Sequence, residues 1–152
     1  MDERDVQSLV IGRDQLAPVC KKGQDGEPIF RFEDRNIEIP FLQFGAGAPI
    51  SRHLDPVLAS EGVAGRLKTV YENSMAGALR IRAREGMGVA WLPRSLVGSD
   101  LERGLLVETG KPEWRIELEV RLYRRREFSN HATRSIWSFL AVREGVPLTA
   151  IP

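Results

Sequence analysis

Between residues 37 and 108, short apolar runs alternate with amphipathic segments, and this alternation restricts the fold more than any other feature of the chain. Residues 37–44 (IEIPFLQF) finish as an unbroken apolar run, as a strand covered on both faces would. Residues 45–49 break it, Ser51 stands where it can cap a helix reaching about Glu61, and Gly62 ends that helix. Residues 67–71 predict the next strand. Ser74 then reads as the N-cap of a helix ending at Gly86, with Met75, Leu79 and Ala83 on one stripe and Arg82 near its edge. A short apolar strand over 89–92, a brief helical turn near Ser95 and a strand over 105–108 complete the series. Strands alternating with helices predict an α/β fold with a parallel sheet and right-handed crossovers.

The flanks are simpler. Residues 8–11 and 16–20 read as short strands or one interrupted extended segment, and KKGQDGE (21–27) as a loop. In residues 115–123, Ile116, Leu118, Val120 and Leu122 alternate with charged residues, which predicts a strand with one wet face. Residues 130–144 predict an amphipathic helix on Ala132, Ile136, Phe139 and Leu140, with Ser129 as cap and Gly145 as stop.

With 152 residues the chain can hold one core or two small lobes. The 22 basic and 21 acidic residues nearly cancel, which argues against strong non-specific attraction to nucleic acid or an anionic membrane. Cys20 stands alone, so no internal disulfide forms and a reducing, cytoplasmic setting is expected. The start MDERDVQSLV lacks the basic and apolar regions of a secretory signal, and no apolar run has the length of a membrane span.

In parallel sheets, ligands sit beyond the carboxyl ends of the strands. Three corners qualify: residues 45–48, 72–74 and 93–95. FGAGAPI (44–50) places Gly45 and Gly47 between strand and helix, and Glu72 follows about 22 residues beyond Ile50, a layout that suits a dinucleotide. Against it, Ile50 occupies the third glycine position and Pro49 removes an N–H from the helix start. His53, His131 and Cys20 have no metal-ligand spacing, no nucleophile elbow is present, and the arginines of RLYRRRE (121–127) have Glu117, Glu119 and Glu127 nearby, as on a solvated strand end. Met75 and Met87 flank the central helix. Exposed thioethers are oxidisable, but their helical spacing predicts a core role. What remains is the neutral polar corner Asn73–Ser74 at a helix N-terminus, suited to a small anion or carboxylate. Spacing alone favours Ser74 as a plain helix cap.

The blocks LVIGRDQLAPVC, IPFLQFGAGA, LKTVYENSMAGALRIRAREGMGVAWLPRSLV, DLERGLLV and LEVRLYR followed by RSIWSFL resemble, in this order, the effector-binding domain of LysR-type transcriptional regulators. The resemblance implies a periplasmic-binding-protein type II-like α/β fold, with a small-molecule effector held between two lobes. It divides the chain into an outgoing crossover strand region (1–20), a complete second regulatory lobe (21–111), and the returning strand and C-terminal helix of a partial first lobe (112–152). It maps ligand contacts onto Phe44, Gly45, Ala46, Asn73, Ser74 and Pro93. The implied effector is a small carboxylate or other anion.

No catalytic residue, metal or cofactor is implied, and no membrane contact. The family's helix-turn-helix domain and the first half of its first lobe have no counterpart in these residues. The resemblance therefore implies an N-terminally truncated regulator, which reaches DNA only through a domain absent from the chain and lacks one wall of its cleft. Ile116, Leu118, Phe139 and Leu140 would then be uncovered, so a homodimer or larger assembly is expected. Two other readings stand beside this one. The first is a nucleotide-binding enzyme domain using Gly45, Gly47 and Glu72. The second is a ligand-free remnant that associates with itself or with a related full-length regulator.

Overall fold

In the computed structural model, which describes residues 6–125 and 130–142, the first strand, β1, is one continuous run, Val6–Lys21. The expected interruption between residues 11 and 16 does not occur. β2 (Ile39–Phe44), α1 (Ser51–Leu58), β3 (Leu67–Asn73), α2 (Ala76–Arg84), β4 (Ala90–Pro93), α3 (Arg94–Glu102) and β5 (Leu106–Glu108) follow. A 3-10 turn (Pro112–Trp114), β6 (Ile116–Arg125) and α4 (His131–Ala141) end the described chain. Two compact units result. One is Gln15–Ile116, which extends beyond residues 21–111 at both ends; the other gathers the described residues on either side of it.

Within Gln15–Ile116, β2 and β3 run parallel, from Ile39 opposite Leu67 to Phe44 opposite Asn73, with an irregularity between Phe41 and Leu42. Val89 bridges Phe41 in parallel on the other side of β2, donating to the Pro40 carbonyl at 2.8 Å and accepting from Leu42 N–H at 2.9 Å. Gly88 makes this approach possible, because a Cβ there would lie 2.6 Å from the Pro40 carbonyl oxygen. The chain then leaves the parallel layer. β4 pairs antiparallel with β1, from Val19 opposite Ala90 to Leu16 opposite Pro93, and β5 pairs antiparallel along β1's other edge. The alternation thus predicts the parallel layer correctly but not the second sheet. Antiparallel pairing to β1 depends on contacts some seventy or more residues apart in sequence, which local periodicity does not carry.

The core closes around Trp91, which is fully buried and donates its indole N–H to the Trp114 carbonyl at 3.0 Å. Phe32 and Phe41 meet Trp91 edge-on, and Phe32 also meets Trp114 at 4.8 Å between centroids. Gly110 admits the Trp114 ring, since a Cβ there would come within 2.4 Å of it. The long connection from β1 to β2 has little regular structure, yet its carbonyls are satisfied. The Arg66 guanidinium donates to the Phe32, Asp34 and Ile37 carbonyls, and the Thr109 hydroxyl donates to Phe30.

The helix ends depart from expectation in three places. Ser51 is the first residue of α1, and its hydroxyl donates to the Ala48 carbonyl at 2.7 Å; Ile50 holds the cap position without a side-chain bond, and the helix stops at Leu58. Met75, not Ser74, holds the cap position of α2, and its own side chain is 71% exposed while Leu79 and Ala83 are buried. The stripe is real but starts one turn later than the spacing suggests. The brief turn near Ser95 is a helix of nine residues, α3, carrying the buried Asp100. Arg80 of α2 holds that carboxylate with two hydrogen bonds, Nε to Oδ2 at 2.5 Å and Nη2 to Oδ1 at 3.0 Å.

In the other unit, β6 pairs with β1 and alternates half-buried and exposed residues along its whole length, as its sequence predicts. Its arginines are engaged locally. Arg124 donates to Gln7 and lies 4.2 Å over the Trp137 ring, and Arg121 bonds Glu119 and Ser8. The Asn130 side chain caps α4 by accepting from Thr133 N–H at 2.8 Å. Ser129 and Gly145, the expected cap and stop, lie outside the described residues. Phe139 is 59% exposed and Ile136 56%, whereas Ile116, Leu118 and Leu140 are half-buried.

The Arg80 hydrogen bonds hold the Asp100 carboxyl below its ordinary range, with the Arg80 and Arg84 charges adding to them. A depressed folded-state value stabilises the fold fully above the ordinary aspartate value of about 3.9, and the effect disappears as acid takes the pH below that. Asp100→Asn is expected to cost about 2–4 kcal/mol at neutral pH. Its urea midpoint should also fall less than the wild type's between pH 5 and pH 3, as about 3.9 lies inside that interval.

Candidate functional site

β2 and β3 end on the same edge of the parallel layer, and Val89 runs parallel alongside β2 just before the chain turns into β4. The first two corners touch. Gly45 N–H donates to the Asn73 carbonyl at 3.2 Å, and a Cβ on Gly45 would lie 2.7 Å from Ser74 Oγ. Glycine is therefore what lets the 45–48 loop rest on Ser74.

Asn73 is fixed from three directions. Its carbonyl takes the Gly45 amide, its Oδ1 accepts from Met75 N–H at 2.8 Å, and its Nδ2 donates to the Tyr71 hydroxyl at 3.1 Å. This Asx turn replaces the Ser74 cap that spacing favours. It also frees Ser74: among the described residues, the exposed Ser74 hydroxyl makes no hydrogen bond. The first amides of α2, on Ala76 and Gly77, have no intrahelical acceptor by helix geometry. A bare hydroxyl and two amides thus stand together at a helix start.

The other expected contacts are placed differently. Phe44 is 2% exposed, so it offers this edge its backbone and its side chain belongs to the core. Ala46 is exposed on the loop tip, and Pro93 is half-buried at the end of β4, against Leu16 of β1. Glu72 is exposed, with Oε1 3.5 Å from the position a Gly45 Cβ would take. Two residues beyond the sequence reading support the corner. Tyr71 holds Asn73 and lies under the Arg82 guanidinium at 5.4 Å, and Gln43 accepts from the Thr69 hydroxyl at 2.6 Å. Strand alternation would have found Tyr71, two positions before Asn73 and so on the same face.

Among the described residues, no group of His, Cys, Asp or Glu side chains could hold a metal ion. Cys20 is buried, and burial pushes its thiol up, away from the reactive thiolate. The dinucleotide layout is not favoured: Ser51 and His53 amides turn back to the Ala48 and Ile50 carbonyls, and Pro49 has none to give. No helix among the described residues is long and apolar enough to cross a membrane.

The mixed α/β architecture is that of LysR regulatory domains, which have a periplasmic-binding-protein type II-like fold. The family model for the LysR substrate binding domain matches residues 2–143, and the chain belongs to that family. It is similar to the HTH-type transcriptional regulator YjiE of Escherichia coli K12, with 26% identity over 123 residues, 81% of this chain and 40% of that protein. It is equally similar to the HTH domain-truncated transcriptional regulator QseD of Escherichia coli O157:H7, covering 50% of it. The chain thus spans half or less of these curated relatives. Full-length HypT of Salmonella typhimurium, a hypochlorite-specific LysR-type transcriptional regulator, shares the fold with a TM-score of 0.81 at 22% identity, over 95% of this chain and 50% of that one. The chain carries a LysR substrate-binding domain, and effector binding is the role of the family.

Asn73→Ala is expected to lower stability by about 1 kcal/mol through loss of the Asx turn that accepts the Met75 amide. Ser74→Ala should change it by less than about 0.5 kcal/mol, as at an exposed site without partners. Urea midpoints of the two variants check the contrast.

Proposed function

We propose that Gln15–Ile116 is the second lobe of a two-lobed effector domain, and that the described residues around it contribute to the first. In this reading the edge formed by Gly45, Ala46, Asn73 and Ser74, with the Phe44 backbone and Pro93 beside it, takes a small carboxylate or other small polar anion. Ligand binding then shifts the population of lobe arrangements. The chain is a cytoplasmic, non-enzymatic sensor that self-associates and acts on DNA through a helix-turn-helix domain outside these residues. The observation that carries the reading is the contact of Gly45 with Ser74, next to an Asn73 whose side chain holds the Met75 amide and leaves the Ser74 hydroxyl unengaged. Members of the family bind small-molecule effectors, oligomerise, and bind DNA through an N-terminal domain. The exposed Ile136 and Phe139 of α4 support self-association.

A thermal-shift screen of small carboxylates, followed by calorimetry on the hits, tests the site. Ser74→Ala is expected to weaken the best hit by roughly tenfold, about 1.4 kcal/mol, with the melting temperature of the free protein unchanged. Equal affinity in the variant would count against the corner. In sedimentation at micromolar concentration the same samples should run above the 17.1 kDa of one chain, and a single species at that mass would remove the assembly.

A second reading rests on Met75 and Met87, which are 71% and 41% exposed at the two ends of α2. We propose that hypochlorite or a similar oxidant transfers an oxygen atom to these thioethers, forming the sulfoxide and releasing chloride. Peptide mass mapping after substoichiometric hypochlorite should find the added oxygen at Met75 ahead of Met87. Oxygen appearing on neither would dispose of the idea.

A further inference from the structure

The far end of α2, roughly 13 Å from Asn73–Ser74 at 1.5 Å per residue, borders a cavity of about 470 Å³. Lys21 and Lys22, at and just beyond the end of β1, form one side. Ile81, Arg84 and Glu85 form another, and Gly104 with Leu105 close it after α3. The volume lies within the range of small-molecule pockets, about 300–1,000 Å³.

The charge balance of this cavity is positive. Among the described residues, neither lysine has a carboxylate partner, and Arg84 comes no closer than 3.9 Å to Asp100, whose two oxygens Arg80 already holds. The one acid in the lining, Glu85, is tied to Arg82 at 2.9 Å. Both helices end here, and a helix C-terminus attracts cations with roughly half an elementary charge. Two such ends explain why lysines gather but fall short of balancing three full cations. The closing carbonyls are also occupied: Ile81, Arg82 and Ala83 accept from Glu85, Met87 and Gly86, and Ser99, Asp100 and Leu101 from Arg103, Leu105 and Gly104.

The lysines are positioned by the turns beneath them. Gly86, with φ +82°, would place a Cβ 3.2 Å from Lys21 Cδ, and Gly104, with φ +67°, would place one 3.5 Å from Lys22 Nζ. Each stem lies against a turn that only glycine adopts easily. The two lysines thereby line the cavity together with Ile81 and Leu105.

From this geometry we propose that the cavity is a second binding site, separate from the effector edge, for a small organic polyanion: a phosphate ester or a di- or tricarboxylate. Lys21, Lys22 and Arg84 take the charge, and Ile81 and Leu105 take the carbon skeleton.

Calorimetric titration of the full chain with pyrophosphate and with citrate, at ionic strength held constant with KCl, tests this. At least one anion should bind saturably, more weakly at higher KCl. Which one binds tells phosphate from carboxylate chemistry. The double variant Lys21→Gln/Lys22→Gln should bind at least tenfold more weakly with an unchanged circular dichroism spectrum, while Asn73→Ala should bind as the wild type does. Absence of saturable binding by either anion in the millimolar range would overturn the proposal. So would undiminished affinity in the lysine double variant, or an equal loss in Asn73→Ala, which would move the anion to the effector edge.

Discussion

The larger unit depends on one close approach, that of Gly88 to the Pro40 carbonyl. Val89 can use both its amide and its carbonyl on β2 only because the residue before it has no side chain to hold the strands apart. One residue later the chain has turned to β1 and carries Trp91 into the aromatic core. The parallel layer and the antiparallel sheet therefore share a joint of two residues. A side chain at that joint would strain both pairings at once.

Two further constraints hold the strand ends in place. Arg80 reaches across from α2 to neutralise Asp100 inside α3, so neither helix can shift without leaving a buried charge unpaired, a costly step in a low-dielectric interior. Arg66 satisfies three carbonyls of the connection between β1 and β2, which orders a segment lacking its own ladder. Neither arginine would be picked out by hydrophobic pattern. Both act through geometry that unites residues twenty or more positions apart.

How far the sequence was legible follows from range. Alternation within short windows exposed β2, β3, the wet-faced β6 and the amphipathic α4, since each is written in side chains one or two turns apart. It understated α3, where Gly98 and a polar Ser95–Asp100 side obscured the helical period and the reason for Asp100 lay in Arg80. It drew Met75 into the core because spacing records position on a helix and not where the helix begins; the Asn73 turn starts α2 at Ala76 and leaves Met75 outside. The polar corner itself was visible as a composition anomaly. Its internal order, with Asn73 closing an Asx turn on Met75 and Ser74 unengaged, turns on hydrogen bonds that residue types alone do not distinguish.

The Asn73 turn has a consequence for how such a domain can change over evolutionary time. The donors it aims outward are main-chain amides, and these stay the same whatever side chains stand nearby. Gly45 and Asn73 are held by the frame, while Ala46 and Ser74 are exposed and the Ser74 hydroxyl makes no hydrogen bond among the described residues. In the proposed reading, selection can thus change the ligand preference of this edge through two exposed positions and leave the architecture that presents it untouched.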